Sequence, residues 1–184
     1  VLPEEFGGYT VGVLVQTNYG GFMTINGAPV GRELGTYPFR DQPAPTDDGE
    51  LEDGSIMIVI ATDAPLNARS LDRLGFRALM GLGRTGSYAS NGSGDYAISF
   101  STNPAVRKPR VSKTPVGIED LVNAAMSPLF AAVSEATEEA IYNAIFKATT
   151  ISSTRGKLEA VPYNKLIRIL EKHQVLNWDE TIPP

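Results

Sequence analysis

Residues 9–17 (YTVGVLVQT) are apolar and rich in β-branched side chains, which predicts a strand. Gly20-Gly21 is then expected to turn the chain into a second short strand at 22–25. The run 55–62 (SIMIVIAT) is apolar on both faces, as befits a central strand covered on both sides. Asp63 is placed to cap a following helix, with Pro65 near its first turn, and Leu71, Leu74, Ala78 and Leu82 mark one helical face. Residues 96–101 (YAISFS) alternate as a strand with one buried face. Two helices are expected at 119–126 and 128–148, parted at Pro128, the second with apolar positions 129, 133, 141 and 145. A last amphipathic helix is predicted at 163–173, after Pro162. Strands followed by helices predict a layered α/β fold with helices packed on a sheet. The 184 residues suit a single domain, and no internal repeat is visible.

Charge refines this picture. Residues 1–54 hold nine acidic and two basic side chains, although the whole chain has a net charge of only −5. Most of that acid lies in 41–54 (DQPAPTDDGELEDG), whose prolines and glycines predict a solvated loop ending where the apolar strand begins. The longest unbroken apolar stretch, 56–61, is too short to span a bilayer, so no membrane partner is expected. No secretory signal pattern opens the chain, and without an initiator Met, Val1 is expected to arise by processing or excision from something longer.

Candidate chemistry is narrowed by what is missing. With no cysteine, disulfides, thiolate nucleophiles and Cys-ligated zinc are excluded, and a single histidine, His173, excludes multi-His metal sites. No metal or organic cofactor is expected. The base of any hydrolase here is therefore His173, a carboxylate, a lysine or a chain-terminal amine. Residues 81–86 (GLGRTG) spell G-x-G-x-x-G but follow a helix, so they read as a helix stop and loop rather than a dinucleotide site. Arg107, Lys108, Arg110 and Lys113 read as a solvated turn around Pro109, with no nucleic-acid partner in an acidic chain. His173 is expected to pair with the last carbonyls of its helix.

Two serine positions remain. Residues 91–95 (NGSGD) make a turn before strand 96–101; if the strand starts early, Ser93 and Asp95 share a face and the carboxylate can orient the hydroxyl, while Gly94 lets a backbone approach closely. Ser55 stands after a glycine at the end of the acidic loop. Cleavage of Gly54-Ser55 would give it a free α-amine with an ordinary pKa of about 7.7–8.0, near that of a useful general base. Nucleophile and base would then sit in one residue.

The stretches DGSIMIVIATDAPL (53–66), GLGRTGSYASNGSGDYAISFST (81–102), VGVLVQTNYG (11–20), GAPVGREL (27–34) and MSPLFAAVSEATEEAIYNA (126–144) resemble the P1 or DmpA-type peptidases. That family comprises L-aminopeptidase/D-Ala-esterase/amidases and β-peptidyl aminopeptidases, and the similarity runs along essentially the whole chain. The resemblance implies an αββα-type sandwich of the DmpA/ornithine-acetyltransferase-like kind, present here as a C-terminal part. It implies self-cleavage at Gly54-Ser55, leaving 1–54 as the end of an α chain and 55–184 as the β chain. Ser55 matches the family nucleophile, Ser93 the second active-site serine, Asp95 the acidic position that orients it, and Asn18 the amide of the oxyanion hole. The expected substrates are short peptides, amino-acid amides or esters, and the expected partners are the rest of the α chain and further αβ units in a homo-oligomer. The residues that grip the substrate amine are expected in that remaining α portion. An acyltransferase of the ornithine acetyltransferase-like class, which uses threonine, is the rival enzyme, and a non-catalytic interaction domain is the rival without chemistry.

Overall fold

The computed structural model of the protein describes residues 1–40, 54–154 and 156–177; the acidic stretch 41–53, expected as a loop, lies outside the described residues. Its centre is β2 (Ser55–Thr62), bounded as the apolar run predicts. On one side β2 pairs antiparallel with β1 (Val11–Asn18), and on the other it runs parallel to β3 (Gly94–Ser101). A parallel neighbour requires a long crossover, supplied by helix α2 (Ala68–Arg84).

One face of this sheet makes the core. Ile56, Ile58 and Ile60 are fully buried against Leu74, Ala78 and Leu82 of α2 and Leu129, Val133 and Ile141 of α3 (Ser127–Lys147). Each such Ile, Leu or Val side chain contributes roughly 1.5–3 kcal/mol of burial. The double cover expected for β2 is not found among the described residues: Leu14, Tyr96 and Ile98 on the opposite face are 71%, 62% and 56% exposed. The period-two alternation in β1 and β3 thus carries apolar residues on both faces, and only one is packed here.

Helices α2 and α3 touch closely because Gly81 has no side chain; a Cβ there would come within 2.5 Å of the Ser134 carbonyl oxygen. Arg77 lies 4.2 Å from the Phe130 ring centroid, where cation and π face attract. A smaller core joins Val30 of α1 (Val30–Leu34) to Leu166, Ile169 and Leu170 of α4 (Tyr163–Lys172). A short hairpin, β4 (Ile151–Ser153) with β5 (Gly156–Leu158), stands between α3 and α4.

Several local expectations are corrected. Helix α2 is capped by Asn67, whose Oδ1 accepts from Ser70 N at 2.8 Å, whereas Asp63 accepts from Thr10 N across the sheet edge. The segment 22–25 is not a strand, because Phe22 and Thr24 donate their N–H groups to the carbonyls of Gly86 and Thr85 instead of a ladder. The helix expected at 119–126 is reduced to one 3-10 turn, Asn123–Ala125; the N–H groups of Glu119 and Leu121 are engaged by Ala105 and Pro65. Helix α2 runs on through Gly81 and Gly83, so only Gly86, at φ +98°, makes the turn. The basic run 107–113 is exposed and irregular, as expected.

Candidate active site

The two ladders meet at one end in a single row. Asn18, Ser55 and Gly94 are cross-strand partners, which puts the Asn18 and Ser55 side chains on the open face of the sheet, with Gly94 beside them. Ser55 Oγ donates to the Gly54 carbonyl oxygen at 2.7 Å. Gly94 N–H is shared between that carbonyl, at 3.1 Å, and Ser55 Oγ, at 3.3 Å. The carbonyl of the Gly54-Ser55 peptide is thus polarised by a backbone donor and touched by the hydroxyl that follows it. Gly94 makes room for this arrangement, since a Cβ on it would press on Ser55 Oγ at 3.3 Å.

Ser93 and Asp95 flank that glycine and are joined by a 2.7 Å bond from Ser93 Oγ to Asp95 Oδ1. Strand alternation turns Asp95 toward the helices, whereas Ser55 looks the other way, so the pair and the serine meet around the end of β3 rather than on one face. What connects them is the Gly94 peptide, whose direction the Ser93–Asp95 bond helps fix. Beneath lies Tyr19, hydrogen-bonded to Thr85 Oγ1 at 2.8 Å. Burial pushes its phenol above the usual value; the Thr85 bond works against this, and the neighbouring Asp95 charge adds to it.

Sequence reasoning did not find the Gly94 N–H as a donor or Tyr19 beside Asp95. The first follows only from the parallel register of β2 and β3, which no local pattern encodes. The second depends on Tyr19 tucking under the sheet end toward α2. His173 lies elsewhere. Its ring meets Glu33 Oε1 at 2.5 Å instead of carbonyls of α4, and Lys172 Nζ reaches the same oxygen at 2.9 Å, tying α4 to α1. These two hydrogen bonds hold the Glu33 carboxyl below its ordinary value, that of His173 contributing most.

Two open hollows adjoin the row of strand ends. One, of about 360 Å³, is lined by Gly20, Gly21, Tyr37, Tyr88 and Gly54 among others; the second, of about 330 Å³, by Asn18, Tyr19, Thr85 and Ile141. No group of three His, Cys, Asp or Glu side chains fit to hold a metal occurs among the described residues. No described helix is long and apolar enough to cross a membrane.

Comparison with known proteins gives this geometry a family. The β-peptidyl aminopeptidase BapA of Sphingosinicella microcystinivorans is 41% identical over 178 residues, covering 91% of this chain and 44% of BapA. A solved Burkholderia sp. β-aminopeptidase superposes with a TM-score of 0.75 at 35% identity, over 94% of this chain and 47% of the other. The L-aminopeptidase D-Ala-esterase/amidase of Ochrobactrum anthropi, described as a variant of the Ntn hydrolase fold, gives 0.68 at 28% identity, over 90% and 48%. The chain therefore spans less than half the length of these relatives. With the peptidase family S58 model matching residues 1–159, more than four-fifths of its length, the chain belongs to peptidase family S58.

Proposed function

We propose that the protein is a self-processing aminopeptidase in which Ser55 first cuts its own peptide and then serves as nucleophile. In the first step Ser55 Oγ adds to the Gly54 carbonyl carbon, the Gly54–Ser55 C–N bond breaks, and the serine nitrogen takes the hydroxyl proton. Water then hydrolyses the resulting ester, leaving a Gly54 carboxylate, a restored hydroxyl and a free α-amine. Residues 1–54 become the end of an α chain and 55–184 the β chain.

The mature enzyme repeats the chemistry on substrate. Ser55 Oγ attacks the first carbonyl of a short peptide, amide or ester, and its own amine, with an ordinary pKa of about 7.7–8.0, receives the proton. The Gly94 N–H and the Asn18 amide are the donors for the oxyanion; one preorganised donor of this kind contributes roughly 2.7–4 kcal/mol to lowering the barrier. The Ser93–Asp95 pair holds the Gly94 peptide in line. The amine of the leaving group departs with the proton, and water releases the acyl residue. The observation that carries this reading is the Gly54 carbonyl, flanked by Ser55 Oγ at 2.7 Å and Gly94 N at 3.1 Å.

The names of the BapA and Burkholderia relatives favour β-amino acid residues as the acyl part. The space around Gly54 supports the same choice. A Cβ at that residue would lie 3.3 Å from Tyr19 Cα, tight for a substituent, whereas a β-residue branched one atom further out carries a plain CH2 there. The partners are the remaining α portion, which would cover the apolar open face of the sheet, and further αβ units in a homo-oligomer. The test is Ser55→Ala: with the complete α portion present, it is expected to abolish release of p-nitroaniline from amino-acid p-nitroanilides. Turnover surviving in that variant would refute the assignment.

A further inference from the structure

The 360 Å³ hollow beside Gly54 has a use that follows from the chemistry of acylation. Self-cleavage and substrate hydrolysis share one attacking atom, Ser55 Oγ, so the acyl carbon of a substrate must come to where the Gly54 carbonyl carbon now is. What surrounds Gly54 therefore surrounds the residue being released. That surrounding includes the backbone of Gly20 and Gly21 and the rings of Tyr37 and Tyr88.

These rings are held in place from behind. Phe22 stacks on Tyr37, with centroids 6.2 Å apart, and tilts against Tyr88 at 5.9 Å; Phe39 closes the group at 5.9 Å from Tyr88. Contacts of this spacing are favourable for aromatic pairs. The Arg32 guanidinium lies over both Phe22, at 5.0 Å, and Tyr37, at 5.7 Å. Backbone strain marks the same group. Phe39 sits at φ +65°, and Ala89, next to Tyr88, at φ +49°, conformations that side chains other than glycine seldom adopt. Such strain persists only where surrounding contacts over-determine it, and it concentrates at ligand sites. Tyr88 and Phe39 nonetheless remain 40% and 61% exposed, so their clustering has not buried them as core residues.

Resting on the aminopeptidase reading above, we propose that Tyr37 and Tyr88 form the subsite for the side chain of the released residue and select acyl residues with large apolar side chains. The hollow discriminates by the apolar area a side chain buries against the two rings. A residue without a side chain, such as β-alanine, gains nothing from it. Gly54 itself, equally bare, occupies the place without entering the hollow, so self-cleavage does not depend on the rings.

The test compares kcat/KM for the p-nitroanilides of β-homoleucine and β-alanine, in enzyme with its complete α portion. Tyr37→Ala and Tyr88→Ala are each expected to lower the ratio of the two about tenfold or more, the scale on which an apolar pocket discriminates. Thr36→Phe, which narrows the same hollow, provides a second route to a lowered ratio should truncation of a ring impair folding. Self-cleavage at residue 54, read by mass in the same samples, is expected to persist. A ratio within twofold of the unaltered enzyme in all three variants overturns the subsite while leaving the aminopeptidase reading intact. An unaltered enzyme that hydrolyses neither substrate overturns both.

Discussion

Replacing Gly94 with alanine isolates the geometry on which self-cleavage depends. Gly94 does not occupy the left-handed region, and alanine tolerates a strand better than glycine by roughly 0.5–1 kcal/mol, so the fold is expected to be unharmed. The backbone N–H that polarises the Gly54 carbonyl is also kept. What changes is space: the new methyl would lie 3.3 Å from Ser55 Oγ and 3.3 Å from Tyr96 Cε2. The Ser55 hydroxyl is thus one of the two groups that must give way. A contact this short asks the hydroxyl to give by a few tenths of an ångström, enough to weaken its hydrogen bond to the Gly54 carbonyl, worth about 1 kcal/mol. Self-cleavage is therefore expected to slow by about 5- to 10-fold, with the melting temperature unchanged or slightly raised. The assay is a time course of precursor disappearance after synthesis, followed by gel or mass, beside a thermal melt. Processing at the normal rate with a normal melt would refute the claim that the Oγ position at the Gly94 edge governs the cut.

Other consequences are as direct. Asp95→Asn, which weakens the charge-assisted bond to Ser93, is expected to lower kcat more than it raises KM; a pure KM effect in steady-state kinetics would argue against positioning. Gly81→Val forces α2 off α3 and is expected to cost about 1–3 kcal/mol in chemical denaturation, since a Cβ there meets the Ser134 backbone. Glu33, whose carboxyl is held below its ordinary value by His173 and Lys172, stabilises the fold above its unfolded pKa and loses that contribution as pH falls through its lowered folded value. The melting difference between Glu33→Gln and the parent should thus be present at pH 6 and vanish in strong acid; a difference independent of pH would contradict the pairing.

The sequence is most informative where one physical signal dominates. Strand β2 emerges at its predicted bounds because six consecutive apolar residues between polar ends leave no other element open to it. Helices α3 and α4 follow from apolar spacing and from Pro128 and Pro162 near their starts. The errors lie where tertiary partners overrule local chemistry. Asp63 has the composition of a cap, yet the Asn67 side chain is the one steadied by Asp120, at 2.6 Å, and held against Ser70. Residues 22–25 look extended, but the carbonyls at 85–86 reach them first. The apolar character of both sheet faces was legible; that only one is packed among the described residues was not. In the candidate site the Ser93–Asp95 bond is visible in an i, i+2 spacing, and the nearness of Ser55 and Asn18 rests on resemblance. Gly94 as a donor needs the register of two strands separated by a whole helix, which is beyond any local pattern.

The central claim is that Ser55 works as a chain terminus. Intact-mass measurement of the active enzyme under denaturing conditions tests it most directly. Two polypeptides are expected, one ending at Gly54 and the other beginning with an unblocked Ser55. A fully active enzyme whose Gly54-Ser55 bond is uncut would contradict it.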